Sequence, residues 1–226
     1  MDPQHLFALA RRALKDAVFE TPFARFIAPR WQFNYTPSQL GFLCDCLSKV
    51  RDVPGPVFEV GCFAGATTVF LHRHLQAEGI DKPYLAFDTF EGFTAADVAH
   101  EVGARGKPTE GLQGFTDNKQ HWFDRTMALN GLPVRSVRAD VSTYDFGALD
   151  APAFCLIDVD LYVPVRKVLE ALWPRLPAGA IIVVDDCLAA THFDGALQAY
   201  TEFVTANGLP VRIERGKLGV LEKPRA

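Results

Sequence analysis

Nothing in this 226-residue chain is apolar for long: no run reaches the roughly 18 residues that a membrane span needs, so no membrane partner is expected. Basic charge is not in excess either. The formal net charge is -4, which argues against a generic polyanion-binding surface, so nucleic acid is not an expected partner. Met1-Asp2-Pro3-Gln4-His5 lacks the basic and apolar regions of a signal peptide, and a cytoplasmic location is expected. Repeats and low-complexity stretches are missing. Cysteine is sparse and odd in number: Cys44, Cys46, Cys62, Cys155 and Cys187. Cys44 and Cys46 fall two apart on a helical pattern, where they face different directions, so structural thiols are favoured over a metal pair. What remains is ordinary for a globular protein, with 49% hydrophobic and 22% charged residues, and is long enough for one α/β domain over 1–226.

The order of segments predicts the fold. Leu6, Leu9, Ala10, Leu14 and Val18 recur at helical spacing, and Thr36-Pro37-Ser38 opens a second helix through about Val50. Residues 1–50 therefore read as a helical N-terminal cap. Strands are expected at Val57–Val60, Tyr84–Phe87, Val134–Ala139, Phe154–Ile157 and Ile181–Val184. Helices are expected at Ala66–Ala77, about Asn118–Asn130 and Val163–Leu176. The continuously apolar runs at 154–157 and 181–184 suit parallel strands buried on both faces. Alternation of this kind predicts a Rossmann-like doubly wound sheet. Pro210–Glu214 and Lys217–Glu222 flank Arg215-Gly216, a hairpin signal, so the sheet should end in an antiparallel hairpin. Residues 94–115 show little periodicity and are read as a lid loop.

Ligands of open α/β sheets bind beyond the carboxyl ends of the strands. Here those ends carry Glu59-Val60-Gly61, Asp88, Asp140, Asp158 and Asp185-Asp186. Gly61 and Gly65 give the first turn a close backbone approach to a ligand, at the start of a helix whose N–H groups are unpaired. An acid closing the second strand, Asp88, can accept both hydroxyls of a ribose. The spacing of Gly61-Cys62-Phe63-Ala64-Gly65 is not the G-x-G-x-x-G that admits a pyrophosphate, so a nucleoside cofactor without one fits better. Asp158, Asp185 and Asp186 would repel one another unless a hard divalent cation joined them, and oxygen-only ligands suit Mg²⁺ or Ca²⁺. Asp160 could join this site or cap the helix at Val163-Pro164, and the cap is preferred. His192, in the loop after the Asp pair, is a candidate general base or else a solvated loop residue. Trp31, Phe33 and Tyr35 either wall an acceptor pocket or pack in a core.

These residues carry a resemblance. Phe58 to Gly65 resembles the first motif of class I S-adenosylmethionine-dependent methyltransferases. Asp88-Thr89-Phe90-Glu91-Gly92-Phe93, Asp158-Val159-Asp160-Leu161-Tyr162 and Val183-Val184-Asp185-Asp186 are similar, in the same order, to signatures of the macrocin O-methyltransferase (TylF/MycF) family. The resemblance spans about Thr36 to Lys223. It implies a class I methyltransferase fold with S-adenosylmethionine and Mg²⁺. Glu59, Gly61 and Gly65 would line the methionine part, Asp88 the ribose, and Asp140 with Val141 the adenine. Phe63, Thr67, Thr89 and Asp158 complete the implied cofactor set. Asp158, Asp185 and Asp186 would hold the metal, with Asp158 and His192 as the catalytic candidates. The implied acceptor is a small hydroxylated molecule, a sugar or secondary metabolite, and a homo-oligomer is compatible with the reading. Two alternatives stay open: a metal-independent O- or N-methyltransferase using His192 as base, and a nucleotide-binding oxidoreductase.

Overall fold

The computed structural model of the chain describes residues 3–28 and 30–225. Two compact units are distinguished, Met1–Asn34 and Tyr35–Ala226. The first holds α1 (Pro3–Phe19) and α2 (Ala24–Ile27). The helix expected to complete a cap over 1–50, α3 (Pro37–Lys49), belongs to the second unit. Its start is the one the sequence encodes. The Thr36 hydroxyl accepts from Gln39 N, the Gln39 side chain accepts from Thr36 N, and Pro37 takes the first helical position.

The second unit is built on a seven-stranded sheet. Its strands are β1 (Val57–Val60), β2 (Tyr84–Asp88), β3 (Val134–Arg138), β4 (Phe154–Ile157), β5 (Ile181–Val184), β6 (Ile213–Glu214) and β7 (Leu218–Glu222). The spatial order is β3-β2-β1-β4-β5-β7-β6. Strands β1 to β5 pair in parallel, while β7 runs antiparallel to both β5 and β6. The order reverses direction at β1, so the topological switch point lies between β1 and β4, where such sheets bind ligands. Every residue of β1, β4 and β5 is buried, as helices on both faces require. The crossover helices are α4 (Ala66–Ala77), α6 (Gln120–Asn130), α7 (Tyr162–Leu172) and α8 (Gly195–Ala206).

Two stretches depart from expectation. Residues 94–115 are not loop throughout: Ala95–Arg105 forms α5, capped by the Thr94 hydroxyl on Asp97 N and ended by Gly106 at φ 65°. Its inward residues are Asp97 and Glu101, both buried, so the apolar periodicity that signals a helix is missing. The helix expected over 163–176 ends at Leu172, and Trp173–Arg175, with a proline inside, tightens into a 3₁₀ turn.

Candidate active site

The glycine turn is shaped by its neighbours in the sheet. Val60 is aligned with Ile157 on β4, so Gly61 follows opposite Asp158. A Cβ on Gly61 would lie 1.8 Å from the Asp158 carbonyl oxygen, and its φ is +89°. Gly65 has φ +88° and stands at the N-cap of α4, where a Cβ would meet Met127 Cε at 2.6 Å. Asp88 braces this turn: its Oδ2 accepts from Cys62 N (3.0 Å) and Phe63 N (2.8 Å), and its Oδ1 accepts from Phe90 N (2.7 Å). Oδ1 keeps a free lone pair for a further donor. Thr89 donates to Gly92 O at 2.6 Å and so closes the turn after β2. Asp140 performs the same service after β3, accepting from Ser142 N at 2.9 Å beside the buried Val141. Phe63 lies with its ring 5.7 Å from that of Phe115, and Thr67 is half-buried in the first turn of α4.

Glu59 does not join the rim of acids. It is 1% exposed, within the sheet, and accepts a hydrogen bond of 2.7 Å from the Tyr84 hydroxyl. Burial pushes its carboxyl up to about 7, against the opposing pull of Tyr84. Alternation along β1 sends the Glu59 side chain to one face of the sheet, where it meets Tyr84 of the neighbouring strand β2.

The second group of acids does gather. Ile157 is aligned with Val184, which sets Asp158 beside Asp185 at the ends of β4 and β5. Asp158 Oδ2 accepts from the Tyr35 hydroxyl at 2.8 Å, so Tyr35 belongs to this site. Burial, then Asp185, Asp160 and Asp186, hold the Asp158 carboxyl well above its usual range, with Tyr35 opposing. Asp185 is 3% exposed and is raised to about 6, mainly by burial and Asp186, and Lys217 opposes. Asp160 and Asp186 adopt φ of 60° and 54°, a strained conformation that acids tolerate better than most residues and that collects at functional sites.

Asp160 is not the cap it was expected to be. Leu161, the N-cap residue of α7, supplies no side-chain cap of its own. Instead Tyr162 N donates to Glu101 Oε1 at 2.8 Å, and Asp160 is buried beside Asp186. His192 packs against Gly111 and Phe193: its Nε2 is 2.6 Å from where a Cβ on Gly111 would be, its ring meets Phe193, and its Nε2 is buried without a hydrogen-bond partner. All five cysteines are free, and four are buried, in keeping with structural thiols.

Sequence reasoning missed Lys217. Its ammonium donates to Asp185 Oδ2 at 2.7 Å and Asp186 Oδ1 at 3.0 Å, and it lies 4.9 Å from the centre of the Tyr35 ring. The signal was the hairpin itself. Val184 pairs with Gly219 across the antiparallel ladder, and continuing that register by two residues brings Lys217 opposite Asp186. Asp158, Asp160, Asp185 and Asp186 are oxygen donors, the type a hard divalent cation takes, and Asp185 Oδ1 is buried with no hydrogen-bond partner. Among the described residues, however, no three or more His, Cys, Asp or Glu side chains are grouped as a metal ion needs. The ammonium of Lys217 and the hydroxyl of Tyr35 already engage the carboxylates.

Known proteins agree with this architecture. The calicheamicin methyltransferase CalS11 superposes with a TM-score of 0.68 at 20% identity, over 98% of this chain and 93% of that one. The O-methyltransferase NovP gives a TM-score of 0.67 at 20% identity, over 83% and 80%. In sequence, the 8-demethyl-8-(2,3-dimethoxy-alpha-L-rhamnosyl)-tetracenomycin-C 4'-O-methyltransferase of Streptomyces olivaceus is 30% identical over 172 residues, 62% of this chain. The demethyldecarbamoylnovobiocin O-methyltransferase of Streptomyces niveus is 21% identical over 176 residues, 69% of this chain. The chain spans only 58% and 62% of the lengths of these two relatives. The family model for macrocin O-methyltransferase (TylF) matches residues 37–215, the stretch that carries every motif described above, and the chain belongs to that family.

Proposed function

We propose that this protein is an S-adenosylmethionine-dependent O-methyltransferase acting on a hydroxyl of a sugar-linked secondary metabolite. The observation that carries the reading is the meeting of two features at the switch point: the Asp88-braced glycine turn on β1 and the Asp158–Asp185–Asp186 group on β4 and β5. A complex with S-adenosylmethionine of the O-methyltransferase TomG from Streptomyces achromogenes, with a TM-score of 0.52 at 16% identity over 100% of this chain and 91% of that one, shares the fold. Family membership and the sugar-bearing substrate named for the Streptomyces olivaceus relative support the donor and the acceptor class.

In this reading Gly61, Phe63, Gly65 and Thr67 line the methionine end, Asp88 and Thr89 take the ribose, and Asp140 with Val141 flank the adenine. Glu59, buried on β1 and bonded to Tyr84, stands beside the methionine end. Methyl transfer is an in-line displacement, so the protein must position the acceptor oxygen and receive its proton. Asp158, with a proton affinity raised by burial and by neighbouring acids, is suited to receive that proton, while Tyr35 fixes its orientation. If Asp158, Asp185 and Asp186 held Mg²⁺ instead, the ion would supply a Lewis acid that lowers the acceptor hydroxyl's pKa, and Asp158 would be a ligand rather than the base. A second reading, metal-independent with His192 as base, draws on the buried unpartnered Nε2 of His192. The oxidoreductase alternative finds no support in the family match.

The test combines binding and turnover. S-adenosylhomocysteine should raise the melting temperature and NAD should not. With labelled S-adenosylmethionine and a rhamnosylated acceptor, Asp158→Asn should lower kcat by about 10²-fold or more. His192→Ala should leave it within a few-fold. Full activity of Asp158→Asn with loss in His192→Ala would transfer the proton to His192.

A further inference from the structure

A bulky residue with a left-handed backbone is strained, and three phenylalanines here have one: Phe63 (φ 43°), Phe90 (φ 55°) and Phe115 (φ 65°). Phe90 is 2% exposed in a core cluster with Phe123 and Met127, so packing holds it. Phe63 and Phe115 lack such burial: they are 43% and 39% exposed, and their rings meet edge to face at 5.7 Å. We propose that Phe115 is a specificity-determining residue for the acceptor: together with Phe63 it offers an aromatic face to a flat, apolar aglycone carried by the sugar. The inference rests on the O-methyltransferase reading given above and deepens it, naming the part of the acceptor that lies beyond the sugar.

The loop that carries Phe115 is held along its length. At its start Lys107 Nζ donates to Thr191 O at 3.2 Å and pairs with Asp194 at 2.6 Å. Further on, Gly111 lies against the His192 ring, Leu112 is buried, and a Cβ on Gly92 would stand 2.7 Å from Gly114 O. The exposure of Phe115 therefore belongs to a seated loop. From Phe115 the aromatic contacts continue to Phe93 at 5.4 Å, from Phe93 to Phe193 at 5.9 Å and from Phe193 to His192 at 5.1 Å. One run of rings thus joins the glycine turn after β1 to the loop that follows Asp185-Asp186.

The chemistry of this run selects its ligand. Every ring in it but His192 is a phenyl, and a phenyl receives another flat ring by offset or edge-to-face stacking. Arg105 and Lys107, the basic residues that lead into the loop, are both held by Asp194, at 2.7 and 2.6 Å. Neither is set to take a phosphate, so a sugar on an apolar aglycone suits this wall better than a sugar on a nucleoside diphosphate. Ligand contact would bury the two rings that the fold leaves strained and partly exposed, and a ring already fixed in place needs little further ordering to receive it. Phe115 has no group that could exchange a proton with the acceptor hydroxyl, so its effect falls on acceptor affinity rather than on methyl transfer.

The experiment is a calorimetric titration of the full chain, saturated with S-adenosylhomocysteine, by naphthyl α-L-rhamnoside, methyl α-L-rhamnoside and a nucleoside-diphosphate rhamnose. Wild type should bind the naphthyl glycoside at least about tenfold more tightly than the methyl glycoside. In Phe115→Gly, where glycine adopts the left-handed backbone freely, that preference should shrink to about twofold or less, with S-adenosylhomocysteine affinity within about threefold of wild type. Phe115→Tyr keeps a ring and should keep the preference. A loss of affinity in Phe115→Gly that is equal for both glycosides and for S-adenosylhomocysteine would show a merely structural ring and overturn the inference. Equal binding of the two glycosides by wild type, or tighter binding of the nucleoside-diphosphate sugar, would overturn it too. Methylation assays on the same ligands keep the two readings apart. A naphthyl preference with no methyl transfer to any of them would count against the O-methyltransferase reading and leave the aromatic face standing, whereas methyl transfer with an undiminished preference in Phe115→Gly would overturn the aromatic face alone.

Discussion

Single residues here carry conflicting demands, and Glu59 shows it most plainly. It is an acid buried in the central strand, held by Tyr84, with its carboxyl raised from 4.5 to about 7 chiefly by burial. Folded, it binds its proton more tightly than it does unfolded. Between about pH 4.5 and 7 the folded state therefore holds more protons, so this residue's contribution makes stability fall as pH rises, and the fall ends above about 7. Glu59→Gln keeps an acceptor for Tyr84 and removes the charge. The variant should show a flatter stability profile over that window, gaining on wild type by roughly 2–3 kcal/mol between pH 5 and pH 8. Urea unfolding at a series of pH values measures it; parallel profiles for the two proteins would contradict it. Gly61 makes a different demand. Its positive φ and the approach of the Asp158 carbonyl both exclude a side chain, so the glycine is required by the sheet before any ligand is considered.

At the level of elements, strands were the legible part. Val57–Val60, Phe154–Ile157 and Ile181–Val184 stand where apolar runs bounded by turn residues put them, because a strand buried on both faces has no other way to read. Helix α5 was not legible, because polar contacts rather than apolar ones hold it in place. Glu101 and Arg105 form a buried ion pair, Arg105 reaches Asp194 at 2.7 Å, and Lys107 reaches the same carboxylate at 2.6 Å. Glu101 also caps α7 through Tyr162 N, so one side chain ties two helices. The same long-range capping misled the reading of Asp160: a local cap is visible in sequence, and one supplied from 61 residues away is not. Removing Arg105 would leave Glu101 buried with its charge uncompensated. Arg105→Met should cost about 3–5 kcal/mol and should speed amide exchange across 95–105 and at Tyr162 together. Hydrogen exchange read by mass spectrometry tests this, and unchanged protection at Tyr162 would sever the proposed link between α5 and α7.

For the molecule as a whole, the sheet order gathers residues from β1, β2, β4, β5 and the β6–β7 hairpin at one end. Reading along the chain found the motif-bearing members and named Tyr35 as a pocket or core aromatic, but gave no sign that it bonds Asp158, and it missed Lys217. Tyr35 and Lys217 sit 123 and 32 positions from the aspartates they bond, Asp158 and Asp185, and neither belongs to a motif, so the tertiary fold alone shows these pairings. Both nevertheless lie within the unit Tyr35–Ala226, as do all the cofactor and metal candidates and all of the family match. This unit holds the whole sheet and its own capped first helix, so every residue proposed for cofactor binding lies on elements it contains. A chain beginning at Tyr35 should therefore fold cooperatively and bind S-adenosylhomocysteine within about threefold of the full chain's affinity. At a ligand concentration of 100 times Kd, both proteins should gain roughly 2.7 kcal/mol of stability. Calorimetric titration and thermal melts of the two proteins side by side give the answer. A shortened chain that folds but has lost the cofactor would mean that residues 1–34 supply part of the donor site.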